Sequence, residues 1–183
     1  IVRTCDDFEV PQDQDIIIRA ANRLRALFRQ QYPEHGAPLG VDISLQKNIP
    51  MGAGLGGGSS DAATTLVALN KLWQMQFSIE QLAAIGLELG ADVPVFVHGF
   101  AAFAEGVGEK LQKILLPESW YVVLVPPVHV STRKFFSNGQ LTRDCSAIKL
   151  CDLSRHELRY VCTPVVVNEY PEVSQAIYII NKY

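Results

Sequence analysis

Residues 50–61 read Pro50-Met51-Gly52-Ala53-Gly54-Leu55-Gly56-Gly57-Gly58-Ser59-Ser60-Asp61, with five glycines in seven positions. Glycine takes positive φ readily and lets the backbone come close to a ligand. The stretch then enters a helical pattern, in which Ala62, Leu66, Leu69 and Trp73 recur at the spacing of one buried stripe. Ser59, Ser60 and Asp61 are residue types that start helices well. The first amides of a helix lack intrahelical acceptors and carry partial positive charge, so a glycine loop that opens onto a helix suits an anion, and phosphate in particular. A bare tight turn also uses glycine, but it does not call for five of them with two hydroxyls and a helix start.

Two common phosphate loops do not fit. The Walker loop ends in Gly-Lys-Ser/Thr, and here the glycines run into Ser59-Ser60 with no lysine before Lys71. Gly52, Gly54 and Gly57 match GxGxxG, but a dinucleotide fold places that loop directly after a strand and an acidic residue about 20 positions on. Lys47-Asn48-Ile49-Pro50 separates the loop from the preceding strand, and Glu80 falls in the first turn of the next helix.

Pro50 through Ser60 resembles the ATP-binding motif of the GHMP kinases, the superfamily of galactokinase, homoserine kinase, mevalonate kinase and phosphomevalonate kinase, with its Pro-x-x-x-Gly-Leu-Gly-Ser/Gly-Ser-Ser pattern. The triple glycine followed by Ser59-Ser60-Asp61-Ala62-Ala63 is similar to the members that act on a cytidine-diphosphate-linked methylerythritol. A second block agrees with them: Leu89-Gly90-Ala91-Asp92-Val93-Pro94-Val95-Phe96-Val97, then Gly99 and Ala104-Glu105-Gly106-Val107-Gly108-Glu109.

The resemblance implies an α+β protein with the two-domain GHMP kinase fold. A ribosomal protein S5 domain 2-like ATP-binding domain is expected over 1–117, lacking its first strands, and the start of a ferredoxin-like substrate domain over 118–183. It implies ATP as co-substrate, Mg²⁺ as the usual charge partner of ATP, and phosphorylation of the 2-hydroxyl of the acceptor in non-mevalonate isoprenoid biosynthesis. In the family a strand bearing Lys and Asn, and a Tyr-His pair, precede the point where Ile1 stands, and a glycine-rich motif follows Tyr183, so the chain reads as an internal portion.

Composition sets the bounds. The 183 residues are 48% hydrophobic and 19% charged, enough for a real core. A net charge of −3 gives no electrostatic reason to expect nucleic acid or an anionic membrane, and no apolar run approaches a membrane span. Cytoplasmic location is the expectation. Cys5, Cys145, Cys151 and Cys162 are widely spread with no CxxC, which favours reduced, partly buried thiols over a zinc site or redox pair. His98, His129 and His156 have no partners at metal-ligand or triad spacing, and no GxSxG elbow is present.

Along the chain, residues 13–32 read as an amphipathic helix started by Asp13 or Asp15, with Ile17, Ala20, Ala21, Leu24, Leu27 and Phe28 on one stripe. Val41, Ile43 and Leu45 alternate with polar residues as a half-buried strand, which Lys47 closes. Lys47 is either a strand-end charge or a nucleotide contact; the family places a lysine there. Ser78 with Gln81 forms a capping-box pattern for a helix that Gly90 ends. Asp92 reads either as a cap for the next helix, with Pro94 near its first position, or, by the resemblance, as the catalytic aspartate. Phosphoryl transfer to an alcohol needs a carboxylate within reach of the attacking hydroxyl.

Residues 101–105 and 110–114 flank Gly106-Val107-Gly108 as a hairpin, and Trp120–Val125 reads as a continuous apolar strand ended by Pro126-Pro127. Phe136 is either a core aromatic or, by the resemblance, the residue that stacks on cytosine. The family commonly shows Asn-Asp-x-Glu before a Pro-Val-Val-like helix, whereas this chain has Tyr160-Val161-Cys162-Thr163 before Pro164-Val165-Val166. The implied ATP site is Lys47, Pro50, Met51, Gly52, Ala53, Gly54, Leu55, Gly56, Gly57, Gly58, Ser59 and Ser60, with Ser59 or Ser60 touching a phosphate or the metal. Two rivals stay open: a sister kinase for homoserine, mevalonate or a sugar, and a nucleotide-binding relative without catalysis.

Overall fold

The computed structural model describes residues 1–5, 10–34, 36, 39–128, 130, 136–146 and 160–182. They group into two compact units, Ile1–Met51 with Leu55–Pro117, and Gly52–Gly54 with Glu118–Tyr183.

The first unit mixes strands and helices. Strand β1 (Val2–Cys5) pairs in parallel with β2 (Asp42–Leu45), in register Val2 to Asp42 and Cys5 to Leu45. Parallel strands need a long crossover, and helix α1 (Ile16–Gln31) lies in it. Of the two candidate starters, Asp15 is the cap: its Oδ1 accepts from the amides of Ile17 at 2.8 Å and Ile18 at 3.4 Å. Its other oxygen is ion-paired with Arg3 of β1, and both side chains are at most 5% exposed. A pair this deep is costly to break from one side, so it ties the strand to the helix start.

Helix α1 turns Ile17, Ala20, Ala21, Leu24 and Phe28 inward, with Leu27 half-buried, and packs on α2 (Gly57–Leu72). Ala62, Leu66 and Leu69 of α2 are buried as the stripe requires, and the half-buried Trp73 donates its indole N–H to the Gly40 carbonyl at 3.3 Å. The link to α3 (Ile79–Leu89) passes through positive φ at Gln74 and Gln76. Asn70 holds it by bonding both backbone groups of Phe77, each at 3.0 Å. The Ser78–Gln81 capping box then starts α3 as its sequence pattern demands. Short helix α4 (Val93–His98) follows, and a hairpin of β3 (Ala102–Glu105) and β4 (Lys110–Lys113) pairs Ala102 with Lys113 and Glu105 with Lys110.

In the second unit the described regular elements are α5 (Thr163–Glu169) and α6 (Pro171–Lys182), with a small cluster of buried Leu141, Cys162 and Val165. One expectation changes here. Trp120–Val125 is not a strand: no described residue pairs with it, and Trp120, Tyr121 and Val122 are almost wholly exposed. An apolar run has β-propensity, but a strand exists only as part of a ladder. The two described thiols are free, Cys162 buried and Cys145 exposed. Residues 131–135, 147–159 and His129, including His156 and Cys151, lie outside the described residues.

Candidate functional site

The site is built on the start of α2. Gly52, Gly54 and Gly56 have φ of +68°, +71° and +69°, while Ala53 and Leu55 between them do not. Alternation of this kind turns successive amides toward one side, as in an anion-binding nest. Helix α2 begins at Gly57, two residues before the expected start, and its N-cap is Gly56, which has no side chain to cap with. The first ladder bond runs from the Ser60 amide to the Gly56 carbonyl at 2.9 Å. Ser59, Ser60 and Asp61 therefore sit inside the first turns, and the amides of residues 57–59 have no helical acceptor. The left-handed backbone at Gly56 explains the shift: it ends the loop more sharply than a serine cap in extended geometry would.

Lys47 is brought to this helix start. Its half-burial continues the alternation of Val41, Ile43 and Leu45, so the side chain leaves the end of β2 on the inner face. Its ammonium lies 2.7 Å from the Asp61 carboxylate, with the two side chains 19% and 29% exposed, and 3.5 Å from where a Cβ on Gly57 would stand. A cation beside a helix N-terminus is disfavoured by the helix dipole, and the Asp61 carboxylate offsets that cost. The helix start thus presents its unpaired amides beside an ammonium that is already ion-paired with Asp61.

Asp92 is the N-cap residue of α4, in right-handed helical geometry, and its exposed side chain makes no capping hydrogen bond. Phe96, one turn further on, projects from the same side of the helix, since residues four apart share a face. The Phe96 ring sits against Gly56, with Cζ only 2.7 Å from where a Cβ would be. The face of α4 that carries Asp92 thus looks toward the start of α2. Behind it, Gly86 of α3 admits the fully buried Val93, whose Cγ1 lies 2.7 Å from the position of an added Cβ.

In the adjoining hairpin turn, Glu109 folds back so that its carboxylate accepts from the Val107 amide at 2.7 Å. Its own backbone amide, then that of Val107, holds its carboxyl below the usual range. His98 ends α4 half-buried, with its ring 5.2 Å from that of Phe100. Among the described residues no group of three or more His, Cys, Asp and Glu stands ready for a metal. Among the described residues no helix is long and apolar enough to cross a membrane.

Phe136 belongs to the second unit. It is 53% exposed, which removes the core-aromatic reading, and its carbonyl accepts from Arg143. It shares a concave apolar surface with Leu124, Val128, Tyr160 and Val166.

Three contacts join elements that no sequence pattern pairs: Lys47 with Asp61, Phe96 on Gly56, and Gly108 on Ala91. The alternation through Lys47 and the four-residue step from Asp92 to Phe96 were available as signals, but their partners lie on other elements.

Comparison with known proteins gives consistent relatives. Residues 15–100 match the family described as GHMP kinases N terminal domain. A 4-diphosphocytidyl-2-C-methyl-D-erythritol kinase of Pseudomonas aeruginosa is 53% identical over 174 residues, 95% of this chain and 59% of that protein. One of the same name from Pseudomonas fluorescens SBW25 is 49% identical over 184 residues, 100% of this chain and 62% of its own. A crystal structure titled 4-(cytidine 5'-diphospho)-2C-methyl-D-erythritol kinase superposes with a TM-score of 0.67 at 30% identity, over 95% of this chain and 63% of that one. The chain spans about three fifths of the length of the curated relatives it matches.

Proposed function

Because the chain belongs to the GHMP kinases, with their fold and their glycine loop, we propose that it is part of an ATP-dependent kinase that phosphorylates the 2-hydroxyl of 4-diphosphocytidyl-2-C-methyl-D-erythritol in the cytoplasm. The observation that carries the reading is the convergence at α2: a loop with alternating positive φ, an ammonium 2.7 Å from Asp61 beside the helix start, and the Asp92 face of α4 turned toward it. The names of relatives about half identical to the chain support the choice of acceptor.

In this mechanism the amides of residues 52–60 hold the triphosphate, Lys47 adds a point charge at the same place, and Ser59 or Ser60 donates to a phosphate oxygen. Asp92 orients the acceptor hydroxyl and accepts its proton as the phosphoryl group moves, so catalysis is positioning plus electrostatics. A Mg²⁺ ion would offset the charge of the bound triphosphate, and the Ser59 or Ser60 hydroxyl is the group that would reach it. The described carboxylates form no cage for it, and such ions are commonly held by substrate phosphates with one or two protein groups. Residues 1–117 form the ATP-binding part, residues 118–183 begin the substrate part, and the exposed Phe136 offers a ring face on which a cytosine can stack.

The test is a substrate panel on the full-length protein, with ATP binding measured beside turnover. Phosphate transfer to the cytidine-diphosphate-linked methylerythritol, and none to homoserine, mevalonate or galactose, is the expected result. Transfer to one of the others instead would reassign the substrate. ATP binding without any transfer would make the protein a nucleotide-binding relative.

A further inference from the structure

From the hairpin side, Gly108 abuts the turn that carries Asp92. Gly108 has φ +117°, and a Cβ added to it would lie 2.5 Å from the carbonyl oxygen of Ala91 and 3.3 Å from the carbonyl carbon. Ala91 is the residue before Asp92, and the obstacle is backbone rather than a movable side chain tip. The turn cannot retreat the other way, because Val93 is completely buried against Gly86 and its amide is bonded to the Gly90 carbonyl at 3.1 Å. Gly106, in the same hairpin turn at φ +73°, differs: the three atoms nearest to an added Cβ there all belong to the Glu109 carboxylate, the tip of a side chain.

We propose that Gly108 is a positioning residue for the phosphoryl-transfer step, its contact with the Ala91 carbonyl setting where the Asp92 carboxylate stands. The proposal rests on the kinase reading and on Asp92 as the group that addresses the acceptor hydroxyl. A side chain at position 108 pushes the Ala91 peptide and moves the Asp92 carboxylate with it, while Lys47 and the helix start stay where they are. Displacement of a catalytic group by about 1 Å can cost on the order of 100-fold in rate.

The experiment compares Gly108→Ala, Gly106→Ala, Asp92→Asn and the Gly108→Ala/Asp92→Asn double variant in the full-length enzyme, measuring kcat, KM for ATP and thermal midpoint. Gly108→Ala is expected to lower kcat by about tenfold or more with KM for ATP within about twofold. Gly106→Ala, which strains the same turn without touching Ala91, should keep near-normal kcat. In the Asp92→Asn background, Gly108→Ala should have no further effect, because a residue acting through Asp92 loses its lever when that carboxylate is gone. Equal losses for the two glycines, undiminished kcat in Gly108→Ala, or additive losses in the double variant would overturn the assignment. Near-normal rate in Asp92→Asn would instead remove the reading of Asp92 itself, which separates the two failures.

Discussion

Asp92 occupies the N-cap of α4 yet gives no side-chain oxygen to the helix. A capping role would need that bond, and Asn caps about as well as Asp. Asp92→Asn should therefore leave stability and ATP affinity near wild type and lower kcat by about 10²–10⁴-fold, roughly 3 to 5 kcal/mol of barrier. A kcat within about threefold of wild type would return the residue to a structural role. Glu109 makes a different kind of prediction. Its folded pKa is depressed by backbone donors, so its hold on the hairpin turn is present above its ordinary value of 4.5 and is lost as pH falls through the lower folded value. The Val107 amide resonance should titrate with a midpoint below 4.5, and should stop doing so in Glu109→Gln; a midpoint at or above that value contradicts the hydrogen bond.

The start of α2 shows that neighbouring glycines are not interchangeable. Gly56 combines φ +69° with a Phe96 ring whose Cζ lies 2.7 Å from where a Cβ would stand, so any side chain there disturbs loop and packing together. Gly57 is the first residue of the helix, and a Cβ there makes ordinary contacts of 3.4 Å to Ile49 and 3.5 Å to the Lys47 ammonium. Gly57→Ala should consequently keep the fold, with a thermal midpoint equal to or above wild type, since alanine favours helix over glycine. The same methyl would lie against the Lys47 ammonium at the helix start. ATP affinity should fall by about tenfold or more, which is about 1.4 kcal/mol, and calorimetric titration showing unchanged affinity would remove the phosphates from this position.

Across the whole molecule, nucleotide binding to the folded chain should appear as stability. ATP at about 100 times its dissociation constant adds about 2.7 kcal/mol, worth roughly 5 to 10 °C in the thermal midpoint of a chain this size. No shift at saturating ATP would contradict the site. At this scale the division between sequence and tertiary structure is clear. The amphipathic helix over α1, the stripe of α2, the Ser78 capping box and the hairpin around Gly106 were legible because each is a local pattern whose period or cap chemistry lies within a few residues. The glycine loop and the two kinase motifs were legible for the same reason, being contiguous. Trp120–Val125 has a strand's composition without being a strand, because apolar content reports propensity, while a strand needs a partner that propensity does not supply. The choice of Asp15 over Asp13 came from the amides of Ile17 and Ile18 and the buried Arg3, a residue twelve positions away. Lys47 meeting Asp61, Phe96 lying on Gly56 and Gly108 abutting Ala91 were decided only when α2, α4 and the hairpin packed together, because contacts between elements depend on which faces meet, and no local pattern in the chain encodes that.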